Sequence, residues 1–228
     1  NRDATINSRS FSEGLIETFI DVKQSIRRLF EEQKKSDRIS FSTLEKNGKS
    51  VVVFISFETK FSTEVFRKSF RHFADQAKDR DPNTEIVLMG ATAKRLFSEY
   101  FPANTPYTYF DISEKNIRIA QNSKLFEHIL AFEKVDVFYP FFVSLLKQEA
   151  KSDTISGDIP VGDTILEAER KNRRYFFEPD KDKILHFFEI QILRSILQQR
   201  LREAQLATLG ARITTLQSTP QNIEQEMK

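Results

Sequence analysis

The chain has 228 residues, 39% hydrophobic and 30% charged, with 35 basic against 33 acidic side chains and a formal net charge of +2. That length and balance suit a folded core with one appendage, and they argue against a dedicated nucleic-acid binder, whose surface carries a clear basic excess. The absence of Cys excludes disulfides, thiolate zinc sites and thiol nucleophiles, and no run approaches the ~20 apolar residues of a membrane span.

Residues 10–35 read as an amphipathic helix in which Leu15, Phe19, Val22, Ile26 and Leu29 step by 4, 3, 4 and 3. Such a 3/4 alternation keeps one seam facing a partner helix. A polar connection with an Asn47-Gly48 turn leads to Val51–Ile55, a continuously apolar, β-branched strand of the buried parallel kind. Phe61, Val65, Phe66, Phe70 and Phe73 then recur at helical spacing, continued by Ala74 and Ala77, until Asp81-Pro82-Asn83 breaks the helix. Glu85–Met89 is a second strand closed by Gly90, Ala91–Tyr100 a short helix, and Tyr107–Phe110 a third strand. Ser113 is an N-cap candidate opening a helix to about Phe132. Val135–Leu146 reads as one long strand, residues 150–164 as a loop with Gly157, Pro160 and Gly162, and Arg174–Phe177 as the last strand.

Glu178-Pro179-Asp180 then opens a long helix, about 57 Å if it reaches Gln217. In it Leu206, Leu209, Ile213 and Leu216 step by 3, 4 and 3, a second seam that Ile223 and Met227 continue. Gly210 lowers helix propensity by ~1 kcal/mol relative to Ala, and Pro220 on the seam predicts a kink or restart with Thr219 as a new N-cap. The chain starts at Asn1, not Met, and stops at Lys228 within a helical pattern. We therefore expect a trimmed chain with more helix at both ends.

The fold expectation is α/β: a Rossmann-like sheet domain inserted between N- and C-terminal helices that form an antiparallel coiled coil. The segments are 1–38 for the first coiled-coil helix, 39–178 for the α/β foot domain and 179–228 for the second coiled-coil helix.

No residue set points to catalysis, to a cofactor or to a metal. Gly48-Lys49-Ser50 imitates the end of a phosphate loop, but Thr43 stands where the earlier Gly belongs and the tripeptide precedes a strand instead of following one. His72, His128 and His186 lie on three different elements without metal-motif spacing. No Ser sits in a G-x-S-x-G context. The acidic run Glu178, Asp180, Asp182 is explained by the positive end of a helix dipole. Arg67, Lys68 and Arg71 read as a solvated helix face, and Lys171, Arg173 and Arg174 as a salt-bridged loop. The polar positions Gln198, Gln199, Arg200, Arg202 and Glu203 offer the long helix an outer surface that could slide against a bearing.

Tyr175-Phe176-Phe177-Glu178-Pro179-Asp180 resembles the aromatic-rich strand end, Tyr-x-x-Glu-Pro-Asp, that launches the long C-terminal helix of the F-type ATP synthase γ subunit. Ala211-Arg212-Ile213, Leu216, Thr219 and Asn222 sit where that family carries its Ala-Arg-Met signature, and Ile86–Gly90 stands in place of its Ile-Ile-Gly strand end. The segment 56–63 departs from the family in having neither Gly nor Cys. The resemblance implies a non-catalytic central rotor shaft without cofactor, coupling rotation to ATP synthesis or hydrolysis. It implies as partners the catalytic and non-catalytic nucleotide-binding subunits of the ATPase hexamer, a small stalk subunit and a membrane ring. It places the complex peripherally on the cytoplasmic side of a membrane. The residues alone leave open an α/β adaptor with a coiled-coil arm, or an enzyme whose site has no recognisable motif.

Overall fold

The structure, a computed structural model, describes residues 46–58, 64–114, 123–145, 147–156 and 181–226, together with residues 14 and 117. Five strands form one sheet: β1 (Ser50–Ile55), β2 (Glu85–Met89), β3 (Thr108–Phe110), β4 (Lys134–Phe142) and β5 (Gln148–Ser156). Among the described residues these helices accompany them: α1 (Glu64–Lys78), α2 (Ala91–Tyr100), α3 (Ser123–Leu130) and α4 (Lys181–Glu226). The strand order is β3-β2-β1-β4-β5. The first four strands are parallel and β5 runs antiparallel along the outside of β4. The chain thus winds outward from β1 to one side, returns, and continues on the other, the doubly wound arrangement.

Strand alternation sends β1 side chains to two cores. Val52 and Phe54 pack with Ile86, Leu88 and Phe138 under α1 and α2. Here the Phe residues are structural: Phe54 meets Phe70 edge-on with centroids 5.0 Å apart, and Phe73 meets Phe138 at 5.6 Å. Val51, Val53 and Ile55 face the other way and pack with Val87, Val135, Val137 and Tyr139 under α3 and α4. A parallel strand covered on both faces has no solvent side, which is why β1 reads as an unbroken apolar run.

The end of the sheet where the parallel strands finish is filled by the protein's own groups. Ser56 Oγ donates to the Met89 carbonyl at 2.9 Å and accepts from the Ala93 N–H at 2.8 Å, capping the start of α2. Thr92 Oγ1 donates to the Phe57 carbonyl at 2.8 Å. Gly90 has φ +86°, and a Cβ there would lie 2.2 Å from the Ser56 carbonyl oxygen. Phe57 is fully buried beside the gap between β1 and β4, the place where this topology commonly receives a dinucleotide. Gly48-Lys49-Ser50 is a turn: Gly48 has φ +67° and the Lys49 N–H donates to Asn47 Oδ1 at 2.9 Å.

Of the helix predicted from Ser113 to about Phe132, Ser123–Leu130 is described as α3; residues 115, 116 and 118–122 lie outside the described residues, and the carbonyls of Glu114 and Ile117 accept from Gln205 and Gln198 of α4. Three expectations need correction. The strand predicted over Val135–Leu146 stops at Phe142, where Ser144 and Lys147 exchange main-chain bonds of 2.9 and 3.2 Å and turn the chain back. Pro140 is tolerated in β4 because pairing with β1 has ended at Phe138. Residues 150–156, expected as the start of a loop over 150–164, belong to β5 (Gln148–Ser156); the polar sequence reflects an edge position, and only register with β4 makes it a strand. Finally, α4 is assigned without a break through Pro220 to Glu226, with no restart at Thr219. The predicted strand Arg174–Phe177, the loop over 157–164 and the N-terminal helix except Gly14 lie outside the described residues.

Gly90→Ala should destabilise the fold by at least ~2 kcal/mol, through both the positive φ and the approach to Ser56. Ser56→Ala, which removes both hydroxyl bonds while leaving the backbone conformation allowed, should cost ~1–3 kcal/mol. Urea denaturation midpoints at constant slope measure both, and a Gly90→Ala midpoint equal to wild type would refute the packing described at this end of the sheet.

Candidate functional site

The seat of α4 on the sheet combines an apolar line with polar anchors on both of its flanks. The helix has 46 residues, about 69 Å of length, far more than the sheet's own height. Leu193, Leu197, Leu201 and Ala204 recur every three or four residues and lie buried against β1, β4 and β5. Thr208 and Ala211, also buried, continue the same line. Side chains shrink along this line from Leu to Ala, so the helix comes closest to the sheet near the β4–β5 turn. Gly210 marks the closest approach: a Cβ there would lie 3.0 Å from the Phe142 ring and 3.1 Å from Gln148 Nε2. A side chain at this position would need the Phe142 ring and the Gln148 amide to give way by a few tenths of an ångström.

Polar anchors hold the helix on both flanks of the apolar line. On one flank Gln198, Gln205 and Arg212, each seven residues apart, grip the connection that follows β3. Gln198 Nε2 donates to the Ile117 carbonyl at 3.1 Å and Gln205 Nε2 to the Glu114 carbonyl at 3.2 Å. Arg212 Nη2 pairs with Glu114 Oε1 at 2.8 Å and also donates to the Glu58 carbonyl just beyond β1. On the other flank Arg200 Nε lies 2.7 Å from Asp153 Oδ2 on β5, off the line of its N–H, so the contact is an ion pair and not a linear hydrogen bond. Tyr139 of β4 donates its hydroxyl to the same Asp153 oxygen and lies under the Arg200 guanidinium, 5.5 Å from ring centroid to cation. Burial above all, and then the bond to Asp153, drives the Tyr139 pKa well above the ordinary phenol value, against the opposing pull of Arg200. Thr214 Oγ1 donates to the Leu145 carbonyl at 2.8 Å in the β4–β5 turn.

These bonds place several expected residues differently. Gln198, Arg200 and Glu203 do not form an outer sliding surface: the first two bond to the sheet domain and Glu203 is only 1% exposed. They lie on the length of α4 that crosses the sheet, which helical periodicity alone does not locate. The seam residues Leu206, Leu209, Ile213 and Leu216 lie about 140° around the helix from the sheet-facing line, by ideal helical geometry. Leu206 and Leu209 are half-buried, whereas Ile213 and Leu216 are 42% and 62% exposed. Leu15, Phe19, Val22, Ile26 and Leu29 lie outside the described residues. The histidines are separate: His72 bonds Ser152 at 3.1 Å, His128 pairs with Glu85 at 2.7 Å, and His186 is exposed on α4. Among the described residues no group of three metal-ligating side chains converges. Sequence reasoning missed the rail of Gln198, Gln205 and Arg212, although its seven-residue spacing was a readable signal.

Residues 2–228 match the sequence family described as ATP synthase. The chain belongs to the ATP synthase γ family. Among curated relatives it is 26% identical over 186 residues to the ATP synthase gamma chain of Mycoplasmopsis pulmonis, covering 78% of this chain and 63% of that one. It is 27% identical over 90 residues to the gamma chain of Halothermothrix orenii, covering 40% of this chain and 31% of the relative. The chain thus spans less than two thirds of the length of these γ relatives. Among solved structures it is similar to a chain of the central stalk and c-ring of Tetrahymena thermophila mitochondrial ATP synthase, with TM-score 0.60, 12% identity, and 96% and 98% of the two chains covered. It is also similar to a chain of the Euglena gracilis mitochondrial ATP synthase rotor, with TM-score 0.52, 12% identity, and 99% and 91% covered. At that identity the γ fold is what is shared.

Two measurements probe the seat. Gly210→Leu should force α4 off Phe142 and Gln148 and cost ~1–3 kcal/mol; an unchanged melting temperature would mean the helix does not approach as described. Because the folded-state pKa of Tyr139 lies above the unfolded value of about 10, its contribution is complete below pH ~10 and declines as pH rises beyond that. Wild type should therefore exceed Tyr139→Phe by ~1–2 kcal/mol at pH 8, with the gap narrowing above pH 10. Guanidinium midpoints across that range read the difference directly.

Proposed function

We propose that this chain is the central rotor shaft of an F-type ATP synthase or ATPase, and that it contributes mechanical coupling without a catalytic centre of its own. The observation that carries the reading is the double-flanked seat of α4. From Ile192 to Thr214, about 33 Å at helical rise, the helix is held by an apolar line with polar anchors on either side. Rolling it by one residue, about 100°, would withdraw Gln198, Gln205 and Arg212 from one flank and Arg200 from the other. A shaft that cannot roll in its foot transmits torque; a loosely docked arm does not.

Beyond Thr214 the assigned helix continues for twelve residues to Glu226, about 18 Å. Its seam, Leu206, Leu209, Ile213 and Leu216, faces away from the sheet-facing line and is placed to receive the N-terminal stripe of Leu15, Phe19, Val22, Ile26 and Leu29 as an antiparallel coiled coil. In this reading the foot is 39–178 and the paired helices are 1–38 and 179–228. The coiled coil enters a hexamer of catalytic and non-catalytic nucleotide-binding subunits, and its asymmetry sets which catalytic subunit is open. The foot faces a membrane ring and a small stalk subunit on the cytoplasmic side of the membrane. Support comes from the γ family match and from the likeness to stalk and rotor chains of two mitochondrial enzymes. No described helix is long and apolar enough to cross a membrane, as suits a peripheral attachment.

Affinity capture of the natural full-length protein, followed by mass identification, tests the role. Two ATPase-type subunits of similar mass in threefold excess are expected; recovery of the chain alone would transfer the function to an adaptor. Leu209→Asp should lower stability by ~1–3 kcal/mol by placing a charge in the seam, and an unshifted melting curve would remove Leu209 from it.

A further inference from the structure

The turn Asn47-Gly48, which leads into β1, holds reactive groups that its structural role does not use. Both residues are exposed, and a Cβ built on Gly48 would meet nothing within 4 Å, so the turn stands in open space. The Lys49 N–H donates to Asn47 Oδ1 at 2.9 Å. This is an Asx turn, which folds the side-chain amide back across the peptide joining Asn47 to Gly48. It turns the electrophilic Asn47 Cγ toward the Gly48 nitrogen, and Gly48 has no side chain to obstruct that approach.

The nitrogen that follows the asparagine sets this turn apart. Asn47, Asn83 and Asn104 are all exposed and lie outside helices and strands. Asn83 and Asn104 are each followed by a β-branched Thr whose N–H is already engaged. Thr84 donates to the Asp81 carbonyl at 2.8 Å and Thr105 to the Pro102 carbonyl at 3.0 Å. Among the described residues the Gly48 N–H donates to no group. Exposure is common to the three asparagines; a free adjacent nitrogen and a pre-folded side chain belong to Asn47.

We infer that Asn47 is a site of covalent self-modification, a deamidation through a cyclic imide. The Gly48 nitrogen gives its proton to hydroxide and attacks Asn47 Cγ. Charge developing on Oδ1 meets the Lys49 N–H, which serves as an oxyanion donor already in place. The bond from Cγ to Nδ2 then breaks, and the nitrogen leaves as ammonia with a proton taken from water. Water opens the imide in one of two ways, so that overall one water enters and one ammonia departs. Attack at Cγ gives aspartate, and attack at the main-chain carbonyl carbon of residue 47 gives isoaspartate.

The two products act differently on the fold. Aspartate keeps an acceptor oxygen for the Lys49 N–H. Isoaspartate routes the main chain through Cβ and Cγ, adding a carbon between two clips that fasten the turn to the α3–β4 connection. Those clips are the Asn47 N–H to the Ala131 carbonyl and the Glu133 N–H to the Lys49 carbonyl, both 2.8 Å. The isoaspartyl product therefore loosens the entry to β1. This inference is independent of the rotor role.

The test ages the full chain at neutral and at mildly alkaline pH, folded and in urea. Peptide mapping by mass spectrometry with electron-transfer fragmentation follows each asparagine and separates aspartate from isoaspartate. In the folded chain Asn47 should convert faster than Asn83 and Asn104 by about tenfold or more, because no hydrogen bond has to break before attack. Its rate should rise with pH and should not fall below its own rate in urea. Equal conversion at the three positions, conversion independent of pH, or a folded rate well below the urea rate would overturn the site. Hydrogen exchange then compares the isolated isoaspartyl form with Asn47→Asp. The Glu133 amide should lose protection in the first and keep it in the second; full protection in both would overturn the loosening.

Discussion

The seat of α4 on the sheet holds the helix against turning about its own axis, the constraint on which the proposed rotor role depends and around which the described elements are arranged. An apolar line alone fixes how deeply α4 lies on the sheet, but dispersion and burial are weakly directional and resist rolling poorly. The directional contacts are the amides of Gln198 and Gln205, the guanidinium of Arg212 and the pair formed by Arg200 with Asp153. They act on two flanks, so a displacement relieving one strains the other. Each anchor is modest, because a partly exposed ion pair or hydrogen bond contributes ~1 kcal/mol. Their effect on roll comes from number, spacing and opposition.

The rest of the fold presents those anchors at the required places. β5 is the outermost strand, and its register with β4 brings Asp153 opposite Val137 and within reach of both Tyr139 and Arg200. In the connection after β3 the carbonyls of Glu114 and Ile117 accept from Gln205 and Gln198 of α4. Beside them, Glu58 offers its carbonyl to Arg212 just past β1. Just beyond the end of β1, Phe57 is buried in the core beneath α4 and Ser56 is bonded to β2 and α2. The same architecture that elsewhere frames a site here serves as a mount.

Sharing the γ fold with the Tetrahymena stalk chain at 12% identity is understandable in these terms. Burial and periodicity ask only for apolar character at certain intervals, and volume-conserving exchanges among such positions cost little. The rarer demands are local. Gly90 needs a positive φ and room beside Ser56, and Gly210 needs close approach to Phe142.

Elements whose pattern is set by local chemistry were legible from the residues: the β-branched run of β1, the Phe-spaced face of α1, the Gly90 stop, the long helix after Glu178-Pro179-Asp180, and the γ resemblance carried by that start. What the sequence could not decide was every feature that depends on a distant partner. β5 has the composition of a loop and becomes a strand only because β4 offers it a ladder. The carbonyls of Glu114 and Ile117, which follow a good cap at Ser113, accept from Gln205 and Gln198 of α4, a distant element that the local pattern does not reveal. Gln198, Arg200 and Glu203 look like a solvated helix face and are turned inward because that length of α4 crosses the sheet. Periodicity specifies which residues share a side of a helix; which side meets protein and which meets water is fixed by packing energy summed over the whole fold, and that sum exists only in three dimensions.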